Sequence, residues 1–366
     1  MYRFLRPLLF RLNAERAHTV SLWAAEAAQR TALAAVRSRY KYEDERLKQH
    51  LWGMTFPNPV GLAAGVDKNA RLVPFWEAVG FGFVEVGSVS ARPAEGNPKP
   101  RAFRLPKDRA LINRMGLNND GAETVAERLE GGRSDRSRPL GINLAKTHDP
   151  DILGDAALDD FRTSFNMLVS QADYVTLNVS CPNTPDGGTF EDPAALDALL
   201  GVISSEQKAP GLAVPVLIKL SPPLNDRVVF DTRLEEIVAV AEDHGVDGFV
   251  ATNTASNRQG LQASDAALSA IGDGGVSGPP LENRATRMVS YLFDATEGEI
   301  PIIGVGGVHD AASAYAKIRA GASLVQLYTA LVYGGPVLVR QIKEGLVKRL
   351  SEDGYASIEG AVGVDV

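Results

Sequence analysis

"PIIGVGG" (301–307), "AASAYAKIRAG" (311–321) and "LVQLYTA" (324–330) follow one another with almost nothing between them. The first and third are apolar, β-branched or glycine-rich runs. The second has helical spacing and stops on glycine, as a helix C-terminus prefers. Strand, helix and strand in that order predict two parallel strands covered by the helix that joins them. The rhythm extends backward through "VGLAAG" (60–65), "FVEVGS" (83–88), "LGINLA" (140–145), "YVTLNV" (174–179), "PVLIKL" (215–220) and "GFVATN" (248–253), with a further glycine-ended helix at "RLEEIVAVAEDHG" (233–245). Eight units over roughly 310 residues fit an α/β fold of the (β/α)8 TIM-barrel type, ~250 residues plus insertions, better than an open doubly wound sheet. The surplus falls mainly at 89–139 and 254–300, and the barrel domain is placed at 51–366.

Composition agrees with a packed globular body. The 366 residues are 45% hydrophobic and 23% charged, with 35 glycines, which excludes a disordered chain. One cysteine, Cys181, rules out an internal disulfide and points to a reducing compartment. The five histidines are scattered, with no HxH or HExxH, so no metal site is expected. "EGAVGVDV" (359–366) reads as a tail free to fray.

The net charge of −7 is unevenly spread. Residues 1–41 hold eight basic and two acidic side chains, a balance of +6, which leaves −13 for the rest. An acidic body argues against a nucleic-acid partner, and a basic, apolar head is what an anionic membrane surface attracts. Leu5, Leu8, Leu9 and Leu12 repeat at i, i+3, i+4, i+7, as do Val20, Trp23, Ala24 and Ala27, so residues 1–50 read as an extension of two short amphipathic helices. Their apolar faces either pack on the body or lie in a bilayer interface, framing an entrance for a lipid-soluble ligand. No stretch approaches the ~18 apolar residues of a spanning helix, and "PLLF" is too short for a signal peptide.

Barrel enzymes place their chemistry at the carboxyl ends of the strands. Those ends carry Lys68, Ser88, Asn143, Asn178, Lys219, Thr252 with Asn253 and Thr254, Gly306 with Gly307, and Tyr328 with Thr329. A single polar strand end is usually a cap or a solvated turn. Polar residues at all eight, many of them amides, suggest a large planar polar ligand. "GVGG" and "YTA" lie where this fold commonly holds a phosphate on backbone N–H groups. Cys181 sits in "LNVSCPNT" (177–184); a lone cysteine is ordinarily a small buried hydrophobe, but this one stands at a strand end between Ser180 and Pro182.

Ten collinear segments carry a resemblance that spans nearly the whole chain: "GLAAGVDKNA" (61–70), "EVGSVSARPAEGNPKPRAFRLP" (85–106), "INRMGLNNDG" (112–121), "GINLAK" (141–146), "LNVSCPNTP" (177–185), "IKLSP" (218–222), "ATNT" (251–254), "GGVSGPPL" (274–281), "IIGVGGV" (302–308) and "GASLVQLYTAL" (321–331). The sequence resembles the dihydroorotate dehydrogenases, flavin enzymes of pyrimidine biosynthesis, and within them the membrane-associated, quinone-reducing class. The resemblance implies oxidation of dihydroorotate to orotate by FMN, a membrane quinone as final acceptor, peripheral attachment to the cytoplasmic face of the cell inner membrane, and a monomer. It places FMN against Ala64, Gly65 and Lys68, with Ser88, Asn143, Asn178, Lys219 and Thr252 around its ring and ribityl parts. Gly278, Gly307, Tyr328 and Thr329 fall around the ribityl chain and phosphate. Dihydroorotate is expected at Lys68, at Asn113, Arg114, Met115, Gly116 and Leu117, and at Asn178, Asn183, Asn253 and Thr254. Asparagines, each with an acceptor and two donors, suit a flat ring of alternating donors and acceptors.

The resemblance assigns Cys181 as the base for the C5 proton, and His18 in "ERAH" and Arg104 in "FRLP" to the quinone site. Two positions depart from the quinone class: Ser88 stands where threonine is usual, and Cys181 where serine is typical. Cysteine marks the soluble class, which uses fumarate or an NAD-linked partner subunit, so that alternative stays open. A flavin-free phosphate-binding isomerase or aldolase is the other. "PNTPDGGTFEDP" (182–193) is expected to be a mobile lid.

Overall fold

The computed structural model describes residues 2–131, 136–180, 189–209, 212–224 and 232–366. Eight parallel strands close a barrel: β1 (Val60–Leu62), β2 (Phe83–Val89), β3 (Leu140–Leu144), β4 (Tyr174–Asn178), β5 (Val216–Leu220), β6 (Gly248–Ala251), β7 (Ile302–Val305) and β8 (Ala322–Leu327). Each corresponds to one of the eight apolar runs, with β8 paired to β1 to complete the ring. The runs are continuous because both faces are covered, the outside by helices and the inside by the barrel core. β1 ends three residues early, because Gly65 turns to donate its N–H to the Gly87 carbonyl at 2.6 Å.

An antiparallel hairpin, Gln49–Leu51 with Met54–Phe56, closes the amino-terminal end. Trp52 donates to the Asp247 carbonyl at 2.8 Å, and Phe56, Phe83 and Tyr174 pack edge to face beside it, so the barrel floor is aromatic. Gly141 lacks a side chain where the Tyr174 ring crosses β3.

The two surplus segments find each other. Ala102–Leu105 and Ala110–Asn113 form a hairpin, and Gly275–Ser277, more than 160 residues later, adds a third antiparallel strand with Gly275 opposite Asn113. This small sheet stands over the carboxyl ends of the barrel strands.

The head has three helices rather than two: α1 (Tyr2–Leu9), α2 (Ala14–Thr31) and α3 (Leu33–Tyr40). Asn13 caps α2 through the Arg16 N–H at 2.8 Å. One face of the head packs on the body and the other is exposed. Inward, Tyr2 donates to the Val332 carbonyl, Arg6 to that of Tyr333, and Glu15 pairs with the buried Arg101 at 2.9 Å. Outward, Phe4 (80% exposed), Leu8 (59%) and Trp23 (60%) face solvent, with Leu5, Leu12 and Val20 also exposed. No helix among the described residues is long and apolar enough to cross a membrane. The carboxyl-terminal tail does not fray: Ile358 and Ala361 are fully buried and Asp365 pairs with Arg319 at 2.5 Å.

His18 lies where α2 meets the barrel, and burial, with Lys68 next in effect, lowers its pKa to about 4. The unfolded chain takes up this proton near pH ~6.5, so stability is lost as pH falls through the window between those two values. Melting temperatures measured across that window should fall more steeply for the parent than for His18→Gln; parallel profiles would show that His18 is not held neutral. Gly141→Ala should destabilise by about 1–3 kcal/mol through overpacking against Tyr174, measurable by denaturant unfolding, and an unchanged midpoint would contradict the tight floor.

Candidate active site

A cavity open to solvent on one side sits over the carboxyl ends of the strands. Its walls come from strand ends and from the small sheet. Ala64, Gly65 and Lys68 follow β1, Ser88 belongs to β2, Asn178 ends β4 and Lys219 projects from β5. Thr252, Asn253 and Thr254 follow β6. The small sheet contributes Asn113, Met115, Gly116 and Leu117 on one side and Gly278 on the other.

One corner is rich in backbone. Gly278 and Gly307 both have positive φ, +104° and +80°, a region open to glycine. A Cβ on Gly307 would run into the Glu282 backbone, and one on Gly278 would crowd the Arg109 carbonyl and Thr329. Ser277 and Thr329 hydroxyls meet at 2.7 Å there, at the start of the Thr329–Gly334 helix. Main-chain groups and two hydroxyls, with no carboxylate among the described cavity-lining residues, suit a phosphate.

The cavity also carries two buried polar atoms without a protein partner among the described residues, Gln326 Oε1 and Thr254 Oγ1. Buried polar groups are normally satisfied, so these two fit a polar ligand that completes them. Tyr328 donates to the Gly65 carbonyl at 3.3 Å, and desolvation pushes its phenol up to about 12, which keeps it a donor. Lys68 donates to Asn118 at 2.7 Å, and Lys219 is 7% exposed in the wall. A phosphate corner, two lysines and unsatisfied acceptors along one cavity fit a flavin mononucleotide with an anionic substrate beside it.

Several sequence expectations land elsewhere. Asn143 is fully buried beneath the cavity, accepting from Ser88 Oγ at 2.5 Å and donating to Glu85 at 3.0 Å. Arg114 turns its guanidinium away, donating to the carbonyls of Pro100, Ile271 and Asp273 and stacking over Phe103. Its neighbours on either side face the cavity because side chains alternate along an extended segment. Arg104, expected at the quinone site, donates to the Leu9 and Leu12 carbonyls and lies 4.5 Å from the Phe10 ring. Cys181, Asn183 and residues 182–188 of the expected lid lie outside the described residues.

Sequence reasoning passed over Gln326, Ser277, Leu281, Val305 and Val308, all cavity-lining. Gln326 had a signal, a lone amide inside the apolar run "LVQLY". Ser277 had no signal of its own, since it reaches the cavity only through the long-range pairing of the small sheet.

The family profile described as dihydroorotate dehydrogenase matches residues 46–350. A relative from Natronomonas pharaonis, a dihydroorotate dehydrogenase (quinone), is 45% identical over 367 residues, covering 100% of this chain and 99% of its own. One of the same description from Acidithiobacillus ferrooxidans is 44% identical over 369 residues, covering 99% of each. Among solved structures, the Eimeria tenella enzyme in complex with ferulenol superposes with a TM-score of 0.84 at 34% identity, over 99% of this chain and 98% of that one. The chain belongs to the dihydroorotate dehydrogenase family.

Proposed function

We propose that this chain oxidises (S)-dihydroorotate to orotate in pyrimidine biosynthesis, with FMN as its resident cofactor and a membrane quinone as the final oxidant. The observation that carries this reading is the single cavity wall that joins a phosphate corner to unsatisfied acceptors and two lysines, in a chain of this family. FMN, when bound, supplies a hydride acceptor beside the substrate ring.

The residues divide the remaining work. Gly278, Gly307, Tyr328 and Thr329 hold the phosphate end, with Ala64, Gly65, Ser88 and Thr252 against the rest of the cofactor. Lys219 brings a fixed positive charge to the flavin side and favours the form that gains electron density. Lys68, fixed by Asn118, balances the substrate carboxylate. Asn178 and Asn253 present amide groups to the pyrimidine ring, with Asn113, Met115, Gly116, Leu117 and Thr254 around it, and Asn183 completes the set. Cys181 takes the C5 proton. Its neighbour Ser180 is 1% exposed, donates to the Lys219 carbonyl at 2.7 Å and accepts Asn253 Nδ2 at its own carbonyl at 3.0 Å, so the chain is firmly held just before the base.

Electron exit is assigned to the head. Exposed Phe4, Leu8 and Trp23 on a basic extension match a helix pair lying in the interface of an anionic bilayer, on the cytoplasmic face of the inner membrane. His18 and Arg104 stand where that head meets the barrel. Cys181 also favours a second reading, a soluble enzyme serving fumarate or an NAD-linked partner.

Turnover of the FMN-loaded protein with dihydroorotate and a soluble quinone analogue separates the two; failure with quinone alongside turnover with fumarate would select the soluble reading. Arg104→Ala should lower quinone turnover roughly tenfold, the scale of a lost charged hydrogen bond, and leave anaerobic flavin bleaching by dihydroorotate unchanged. A parallel loss of both rates would remove the separate exit site. Cys181→Ala should slow flavin bleaching about 10²-fold or more, with Cys181→Ser in between. The parent's bleaching rate should climb with pH toward the thiol's ordinary pKa of about 8.5. An alanine variant as fast as the parent at every pH would exclude the thiol as base.

A further inference from the structure

The deepest polar group in the barrel has none of these roles. Glu85 lies in the middle of β2, fully buried. Four donors converge on its carboxyl: Asn143 Nδ2 at 3.0 Å on one oxygen, and Gln326 Nε2 at 2.8 Å, Tyr174 Oη at 3.1 Å and Thr176 Oγ1 at 3.3 Å on the other. A carboxylate only accepts, so Asn143 must turn its amino end down, and its carbonyl oxygen then faces Ser88. Ser88 spends its one hydrogen there, at 2.5 Å, and can only accept from Asn178 Nδ2 at 3.0 Å. The Asn178 oxygen therefore faces Asn253, whose Nδ2 donates to it at 3.1 Å. Asn253 is also fixed from its far side, where Nδ2 donates to the Ser180 carbonyl and Oδ1 accepts from the Thr254 N–H at 2.8 Å.

We infer that Glu85 is a positioning residue that sets, through Asn143 and Ser88, which way the cavity-lining amides of Asn178 and Asn253 face. The site thus offers a flat heterocycle a fixed pattern of donors and acceptors; this rests on the reading that the cavity binds orotate. An amide reversed end for end keeps its shape and inverts its hydrogen-bonding sense, so shape alone does not choose the orientation. The carboxylate at one end and the Ser180 carbonyl with the Thr254 N–H at the other do. The same carboxylate takes the amino end of Gln326, a cavity-lining residue whose buried oxygen has no protein partner among the described residues.

Glu85→Gln keeps the shape and removes the anchor. Three donors crowd one oxygen, so the new carbonyl takes that side and the new amino group meets Asn143. Asn143 has to reverse, its amino end then shares the Ser88 oxygen with that of Asn178, and the Ser88 hydrogen loses its acceptor at the cavity wall. One mismatched contact results, worth roughly tenfold in affinity. Adding Asn143→Asp restores every link above it, because the new carboxylate accepts from the glutamine below and from Ser88 above.

The measurement is the orotate dissociation constant of the FMN-loaded full chain, read from the flavin absorption change on binding. Glu85→Gln should bind orotate at least roughly tenfold more weakly, with FMN content and melting temperature near the parent's, and the double variant should return to within about threefold. Parent-like affinity in Glu85→Gln overturns the inference. So does equal impairment of the single and double variants, which marks general damage to the barrel. If Glu85→Gln fails to fold, the double variant decides alone, parent-like binding supporting the inference and a tenfold loss overturning it. A parent that binds no orotate removes the reading of the cavity itself, and the inference with it.

Discussion

Placing the Glu85 carboxylate inside the barrel takes a charge out of water, at a cost no single hydrogen bond returns. Donors have to surround it, and they come from β3, β4 and β8: Asn143, Tyr174, Thr176 and Gln326. That requirement layers the interior. Below lies the apolar floor of Trp52, Phe56 and Phe83; above lies the cavity; Tyr174 belongs to both lower levels, with its ring in the floor and its hydroxyl on the carboxylate. Tyr174 and Gly141 fit together for the same reason, since only a bare backbone on β3 leaves the ring room to bring its hydroxyl to Glu85.

The small sheet couples the head to the cavity in a comparable way. Arg101 reaches Glu15 of α2 with one end of its guanidinium, and with the other it donates to the carbonyls of Glu95, Asn97 and, at 3.4 Å, Met115. A buried arginine satisfied from both sides holds its partners in one arrangement. The segment Asn113–Leu117 is therefore braced from behind by the helix that carries the exposed apolar face.

The eight barrel strands were legible because strands buried on both faces announce themselves as apolar runs, whatever lies far away in the chain. The small sheet was not, since "AFRL", "ALIN" and "GVS" are three or four residues long and are strands only because of their partners, which for "GVS" lie more than 160 residues away. Along the cavity, residues at the ends of strands were legible, and depth was not. Asn143 looked like a wall residue and lies one layer beneath it, while Arg114 shares a motif with cavity residues and points the other way. Glu85 could have been noticed as a lone charge within "FVEVGS". Its partners, on three other strands, could not. The third head helix was hidden because residues 33–40 show no regular apolar spacing.

The pairing of Gly275–Ser277 with Leu111–Asn113 also sets a timetable for the molecule's birth. A chain leaving the ribosome from its amino terminus presents Asn113–Leu117 long before the strand that braces them has been translated, and the ring itself waits for β8 to reach β1. No nascent product that stops before β8 owns a finished pocket. Aborted translation thus yields fragments without a working catalytic centre.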